Sequence, residues 1–209
     1  MLIIRTDQET FEPDDVGRCA EVLAAGGIGI IPTDTVYGIA ALARNAEAVC
    51  RVGRIKDRPP DKPLPVQVAS AREANLLALA DSLAAAALIE RFWPGGLTIV
   101  MERRPGCDLP FQDPLTIGLR IPASRFCLEL IARSGCLVVP SANRSGMPPP
   151  ARPEEISAQV LESVDFVVEA GACPGGIESS VVDITAGVRV VREGAISCSE
   201  IMRVTGGAP

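Results

Sequence analysis

Residues 28–42, IGIIPTDTVYGIAAL, decide the fold class that we predict for this chain. The apolar run at 28–31 has the length of a buried strand, and Pro32 ends it because proline has no N–H group to donate to a sheet. A turn through Thr33, Asp34 and Thr35 leads into a second apolar run at 37–42. Continuously apolar strands are typical of α/β proteins whose sheets are covered on both faces.

The rest of the chain adds helices and strands around this core. Residues 14–25 have helical spacing, with Asp14 as a candidate cap and Gly26 and Gly27 as a stop. We also predict helices at 46–55, 71–79, 81–92, 125–133 and 153–162, and a short one at the C-terminus. Further strands are predicted at 64–69, 97–102, 117–121, 136–139, 166–169, 180–184 and 188–192. With no repeat or linker, the sequence predicts one α/β domain over 1–209, with a twisted, mostly buried mixed sheet flanked by helices.

Three predicted strands end at a proline that is followed by small or hydroxyl residues. The segments are IIPT at 30–33, RIPA at 120–123 and VVPS at 138–141. Strand ends that open onto polar loops are where open α/β sheets bind their ligands. The alternative is that proline merely terminates each strand.

The amino-acid composition argues against several classes of function. The chain has 209 residues, 47% of them hydrophobic and 3% aromatic, and a formal net charge of −6. Few aromatic side chains argue against a stacking platform for single-stranded nucleic acid, and the acidic balance argues against a protein that coats nucleic acid non-specifically. No apolar stretch reaches transmembrane length, and the N-terminus does not resemble a signal peptide.

Cysteine and histidine usage narrows the chemistry. The seven cysteines are scattered without a C-x-x-C pair, which favours reduced thiols in a cytoplasmic protein. The chain contains no histidine, so a Ser–His or Cys–His nucleophile is excluded. An enzyme of this composition must work by positioning, charge stabilisation, a metal ion, or carboxylate and lysine groups.

The basic residues include one dense cluster. Both lysines, Lys56 and Lys62, lie in RIKDRPPDKPL at 54–64, and residues 51–62 hold five cations against two aspartates. This local excess indicates an anionic ligand, because Lys and Arg are the usual partners of phosphates and carboxylates. The alternative is a solvated helix end with basic residues near its C-terminus.

Seven ordered motifs, spread over about 26–194, together resemble the YrdC-type threonylcarbamoyl-AMP synthase family, in its single-domain form. The motifs are PTDTVYG, KDRP with KPL, FWPGGLT, RIP, PSANRSG, IESSVVD and REG. The resemblance implies an α/β domain with a concave basic cavity. It also implies a nucleotidyltransferase that forms threonylcarbamoyl-AMP and pyrophosphate from L-threonine, bicarbonate and ATP, assisted by Mg²⁺ bound with ATP. The product serves modification of adenosine 37 of certain tRNAs, and separate partner proteins carry out the transfer.

The resemblance also implies roles for individual residues. Those implied for threonine are Thr35, Tyr37, Arg120 and Ser179. Those implied for ATP are Lys56, Arg58, Ser141, Asn143 and Arg192, of which Lys56 and Arg58 count as catalytic. No residue is implied as a metal ligand. Tyr37 could equally be a core aromatic, Lys62 could equally be loop surface, and Ser179 is preferred to Ser180.

Some positions depart from the family pattern. Gly96 and Ser180 stand where proline and threonine are expected, and Gln67 stands where some members have histidine. A longer branch of the family carries a C-terminal domain, which is not expected here.

Two other functions stay open from the sequence. One is an RNA-binding module of the same fold without catalysis, because a basic cavity could receive double-stranded RNA by shape and phosphate contacts. The other is a paralogue with a different substrate. Direct RNA contact by a synthase also stays open.

Overall fold

A computed structural model describes residues 1–58, 63–110 and 113–206. The helices are α1 (Pro13–Ala24), α2 (Ala46–Ile55), α3 (Ala71–Leu77), α4 (Leu83–Phe92), α5 (Arg125–Ser134), α6 (Ala158–Leu161) and α7 (Cys198–Thr205). The first strands are β1 (Leu2–Arg5), β2 (Gly29–Ile31), β3 (Gly38–Leu42), β4 (Val66–Gln67), β5 (Ala78–Leu79) and β6 (Leu97–Arg103). The others are β7 (Thr116–Arg120), β8 (Leu137–Val138), β9 (Phe166–Glu169), β10 (Ser180–Asp183) and β11 (Arg189–Arg192).

These strands form one mixed sheet. Their order is β1-β9-β2-β3-β8-β4-β7-β6-β10-β11, and β5 pairs with β6 beside this path. β1 and β2 lie parallel to β9, β4 parallel to β7, and β6 parallel to β10, whereas the other pairs are antiparallel. The predicted class, a mixed α/β sheet with flanking helices, is confirmed.

Apolar side chains fall into two clusters. One lies between the sheet and the pair α1 and α5, where Leu23, Phe126 and Phe166 are fully buried. The larger cluster takes residues from α2, α3 and α4 and from the central strands. Burial of these side chains removes apolar area from water, which is the main free energy that holds the sheet to its helices.

Two predicted helices need correction, and one strand was not predicted. The helix predicted at 71–79 ends at Leu77, because Ala78 and Leu79 turn extended and pair with the end of β6. The helix predicted at 153–162 is two pieces, a 3₁₀ turn at Pro153–Glu155 and then α6, whose start is capped by Ser157. β1 has no counterpart in the prediction.

Two observations bear on organisation. No helix in the described ranges is long and apolar enough to cross a membrane. The assignment of 1–209 to one domain stays a prediction.

Candidate active site

One face of the sheet forms the floor of a cavity of about 810 Å³. Side chains of successive residues alternate between the faces of a strand, so every second residue points into the same space. On β6 these are Thr98 and Val100, and on β7 they are Thr116, Gly118 and Arg120. The loops after β2, α2 and β8 and the segment before β10 form the walls.

The nine residues to which the motifs gave roles all line this cavity. They are Thr35, Tyr37, Lys56, Arg58, Arg120, Ser141, Asn143, Ser179 and Arg192. Lys62 lies outside the described residues. Segments that are far apart in sequence therefore meet at one site, although their individual roles stay predictions.

The turn after β2 is organised by hydroxyl groups. Thr33 Oγ1 donates to Val36 O at 2.7 Å and accepts from Thr35 N at 3.1 Å. Thr33 and Thr35 Oγ1 atoms are 2.9 Å apart. Because the single Thr33 hydroxyl proton goes to Val36, Thr35 must be the donor in that pair. Thr35 Oγ1 consequently faces its other partners as an acceptor.

Arg120 connects this turn to the end of β7. It is 4% exposed, and it donates to Gly95 O at 2.9 Å, Thr35 Oγ1 at 2.9 Å and Asp34 Oδ1 at 2.6 Å. Asp34 Oδ1 also accepts from Ala123 N at 3.0 Å. A guanidinium has five N–H groups, so these bonds leave N–H groups of Arg120 for a ligand. The anionic partner that a buried arginine requires is thus Asp34, to which the motifs gave no role.

Tyr37 fixes the cavity wall through both its main chain and its side chain. Its hydroxyl donates to Gly171 O at 2.7 Å and accepts from Ala170 N at 3.1 Å. Its main-chain N–H donates to Pro150 O at 2.9 Å. Burial raises the pKa of Tyr37 to about 12, so the hydroxyl stays protonated at neutral pH. A role for the ring in shaping a threonine pocket stays a prediction, since the hydroxyl is already bonded within the protein.

Lys56 is a buried cation whose ammonium faces protein oxygens. It is 4% exposed, and Nζ donates to Asn143 O at 2.7 Å, to Asn143 Oδ1 at 3.1 Å and to Ser141 O. Ser141 Oγ lies 3.4 Å away. An ammonium has three N–H groups, so these oxygens use its donor capacity. Burial lowers the pKa of Lys56 to about 8, with Glu178 acting in the opposite direction.

The turn that follows β8 is held at both ends by this one residue. Ser145 N donates to the main-chain oxygen of Lys56 at 2.8 Å, while the lysine side chain holds Ser141 and Asn143. Asn143 Nδ2 donates in turn to Met147 O. Lys56 therefore fixes the 141–147 turn, which carries two of the predicted nucleotide contacts.

Arg192 organises the opposite wall. Nε and Nη2 donate to Ser179 O at 3.1 Å and 2.8 Å, and Nη1 pairs with Glu178 Oε2 at 3.2 Å. Gly194 is required beside it, because a Cβ there would lie 2.2 Å from Glu178 O. The REG motif thus combines a guanidinium fork with a close approach of two main-chain segments.

Arg58 also lines the cavity, and it is partly buried. Its Nη2 donates to Pro63 O at 2.9 Å. Burial lowers the pKa of Arg58, and the charge of Arg192 lowers it further. Arg192 and Arg58 likewise lower the pKa of Lys56. These cations repel one another in the shared cavity, and an anionic ligand would offset that repulsion.

Ser179 and Gln67 line the cavity, whereas Ser180 does not. Ser180 is fully buried outside the cavity, and its Oγ accepts from Gly194 N and Ile196 N at 2.9 Å each. Ser179 lines the cavity. Gln67 also lines it, with Oε1 accepting from the Cys127 thiol at 3.2 Å. The motifs missed Thr98, although it is the threonine that ends FWPGGLT.

The described residues contain no group of three or more His, Cys, Asp or Glu side chains that could hold a metal ion. Of the described lining residues, Glu178 has the one carboxylate, and Arg192 neutralises it. The donor set therefore does not fit a metal site built by protein ligands alone.

The chain is similar to known proteins along its whole length. A family model for Sua5, YciO and YrdC proteins, described as telomere recombination, matches residues 21–194. The threonylcarbamoyl-AMP synthase of Pyrococcus abyssi (strain GE5 / Orsay) is 33% identical, covering 99% of this chain and 62% of that protein. The enzyme of the same name from Bacillus subtilis (strain 168) is 32% identical, covering 96% of this chain and 59% of that protein.

A solved structure agrees with these sequence matches. The crystal structure of P. abyssi Sua5 complexed with L-threonine superposes with a TM-score of 0.91 at 31% identity, covering 99% of this chain and 61% of that chain. The chain spans about six tenths of the length of these relatives.

Proposed function

Given that the chain belongs to the Sua5/YciO/YrdC family, we propose that it is a threonylcarbamoyl-AMP synthase. It would form threonylcarbamoyl-AMP and pyrophosphate from L-threonine, bicarbonate or CO₂, and ATP. The observation that carries the proposal is the convergence of all nine motif residues on one cavity of about 810 Å³ with a cationic wall. The names of the relatives support the same activity.

L-Threonine would bind at the end of the cavity formed by Thr35 and Arg120. The remaining Arg120 N–H groups suit a carboxylate, because a guanidinium can donate two parallel hydrogen bonds to it. Thr35 Oγ1, an acceptor in this arrangement, suits the amine or the hydroxyl of the substrate. Asp34 would hold Arg120 in place from the far side.

ATP would place its phosphates between the 141–147 turn and Arg192. Phosphoryl transfer needs alignment and neutralisation of negative charge more than it needs a covalent nucleophile. Of the described lining cations, Arg58 and Arg192 are partly exposed, and we propose that they contact the phosphates directly. A chain without histidine can perform this chemistry.

Lys56 would act mainly through the turn that it holds. Direct contact of Lys56 with a phosphate would require its ammonium to exchange carbonyl partners for phosphate oxygens. We propose that Lys56 instead positions Ser141 and Asn143, while its buried charge adds to the positive potential of the cavity.

Magnesium would enter as the Mg²⁺ complex of ATP, since the described residues do not form a dedicated metal site. Mg²⁺ commonly binds through substrate phosphates and retains several waters. The ion supplies neutralisation of phosphate charge when it is bound.

The product would pass to separate proteins that transfer the threonylcarbamoyl group to tRNA in the cytoplasm. A mixed anhydride of this kind hydrolyses in water, which favours a prompt hand-over.

The test is release of pyrophosphate by the purified protein with Mg²⁺ and ATP. We expect release only when both L-threonine and bicarbonate are present, with threonylcarbamoyl-AMP as the nucleotide product by mass spectrometry. Pyrophosphate release that does not depend on threonine would refute the proposal. Salt-sensitive RNA binding without turnover would also refute it. Replacing threonine by serine or valine then defines the amino-acid preference.

A further inference from the structure

Thr98 and Ser179 form a buried hydroxyl pair on the cavity floor. Their Oγ atoms are 3.0 Å apart, and the two residues are 3% and 8% exposed. One hydroxyl proton is sufficient for the bond between the two oxygens, so the second proton is available to a ligand. Within the described residues, Ser179 is the one hydrogen-bond partner of Thr98 Oγ1.

The strand register places Thr98 between the two ends of the cavity. Ile99 is opposite Leu119 in the antiparallel pair β6 and β7, so one residue further Thr98 is opposite Arg120. Directly opposite side chains share a face and lie about 5 Å apart at Cβ. On its other side Thr98 is in register with Val181 of β10, two residues after Ser179.

Thr98 thus lies between two groups of side chains, and each group suits a different part of the substrates. Toward β7 lie Arg120 and the Thr35 hydroxyl that it contacts. Toward β10 lie Ser179 and Arg192, whose Nη2 is 3.3 Å from Ser179 Oγ. The first group suits the amino acid, and Arg192 in the second suits the phosphates, as proposed above.

We propose that the Thr98–Ser179 pair is the subsite for the one-carbon unit, as bicarbonate or CO₂ and then as the carboxylate of the carbamate. The inference rests on the proposed function. A group that links the threonine nitrogen to the α-phosphorus must lie between the two ends of the cavity. The Thr98–Ser179 pair offers a hydroxyl donor at that midpoint, and the nearby guanidinium of Arg192 complements the negative charge of a carboxylate.

Bicarbonate gains a proton and loses water to give CO₂, and two further steps follow. The free amine of threonine attacks CO₂, a C–N bond forms, one C=O electron pair moves to oxygen, and the amine proton is released to water. A carbamate oxygen then attacks the α-phosphorus of ATP, the new O–P bond forms, and the bond to the β-phosphate breaks with its electron pair leaving on pyrophosphate. The hydroxyl pair holds the carboxylate so that one oxygen faces Ser179 and the phosphate end.

The test is the Thr98→Val variant, which removes the hydroxyl and keeps a branched side chain of similar shape. Rates of pyrophosphate release are measured in CO₂-free buffer with bicarbonate varied at saturating ATP and threonine. We expect the KM for bicarbonate to rise about tenfold or more, because a hydrogen bond to a charged group is lost. The KM for ATP should change by less than about twofold, and Thr98→Ser should restore most of the bicarbonate affinity.

A matched control is Thr116→Val, which removes a hydroxyl from the same cavity on β7. Thr116 is opposite Glu102, four residues along the sheet from Thr98, or about 13 Å. It should leave the KM for bicarbonate unchanged. If Thr98→Val does not fold by circular dichroism, Ser179→Ala must show the same selective effect. An unchanged bicarbonate KM in an active, folded variant overturns this inference alone, whereas inactivity of the wild type overturns the proposed function.

Discussion

The two walls of the cavity are each held by a cation. The two cations differ in whether N–H groups remain available to a ligand. Lys56 is 4% exposed, and its ammonium faces uncharged oxygens of Ser141 and Asn143. The Arg192 side chain is 44% exposed, and it pairs with Glu178 while it also holds Ser179 O. A buried ammonium can therefore fix a turn, whereas a partly exposed guanidinium can fix a turn and still meet a ligand.

The largest loss of activity is expected when the Lys56 charge is removed. Lys56→Met keeps the apolar stem but leaves the buried carbonyls of Ser141 and Asn143 without a donor. Unsatisfied buried acceptors cost about 1–3 kcal/mol each, so we expect kcat/KM for ATP to fall about 100-fold or more. Hydrogen exchange at 141–147 should speed up at the same time.

The control for this variant is Arg54→Met on the exposed side of α2. It should behave as the wild type in both measurements. If Lys56→Met speeds up hydrogen exchange at 141–147 but the variant keeps its activity, Lys56 does not act by positioning this turn.

Arg192→Lys tests the opposite wall by keeping the charge and removing the fork. A lysine cannot reproduce donation to Ser179 O and Glu178 together, so we expect kcat/KM for ATP to fall about 10- to 50-fold. Arg189→Lys is the matched control on the same strand, because Arg189 pairs with Asp183 and its side chain is 72% exposed. Equal effects of the two substitutions, by steady-state pyrophosphate release, would count against a role for the Arg192 fork.

The pH dependence of the rate separates the two walls further, because the Lys56 ammonium titrates within the range in which activity can be measured. The pKa of Lys56 is about 8, so at pH 9 about a tenth of the molecules keep its ammonium. We expect the wild-type rate to fall up to tenfold relative to Lys56→Arg between pH 7 and 9. A constant ratio of the two rates over that range would contradict the assignment.

This loss of activity should not come from unfolding through Lys56. Between the folded pKa of about 8 and the ordinary lysine value of 10.5, the unfolded chain binds more protons at this residue. The contribution of Lys56 to the free energy of unfolding therefore rises with pH in that window. Denaturant titrations of the wild type and Lys56→Arg at pH 7 and 9 can separate the two effects.

The smallest effect is expected at Asp34, which holds a third cation that is both buried and paired. Asp34→Asn keeps an acceptor for Arg120 but removes the charge, so we expect the KM for threonine to rise about three- to tenfold. The KM for ATP should change less. Asp57→Asn is the control, because Asp57 pairs with Arg144 and its side chain is 76% exposed.

Local sequence patterns predicted elements whose signal is local. The helix at Ala46–Ile55 and the strand at Phe166–Glu169 have the predicted bounds. β1 was missed because its pairing partner, β9, is more than 160 residues away, and nothing near residues 2–5 specifies that contact. The extended pair Ala78–Leu79 lies in a segment whose local pattern predicts a helix, and only pairing with β6 overrides that preference.

The site shows the same division. The motifs were sufficient to list the nine residues that meet in the cavity, whereas charge alone left an anionic ligand and a solvated helix end as alternatives. They could not indicate that the Lys56 ammonium is bonded to carbonyls 85 and 87 residues away, or that Asp34 holds Arg120. Such contacts depend on where two loops meet, which tertiary packing decides.

The most direct test of these assignments is a crystal structure of the protein with L-threonine and a non-hydrolysable ATP analogue. We predict threonine beside Thr35 and Arg120, phosphates on Arg58 and Arg192, and a Lys56 ammonium that keeps its bonds to Ser141 and Asn143. Ligands outside the cavity, or a Lys56 side chain moved onto a phosphate with its carbonyl partners released, would contradict them.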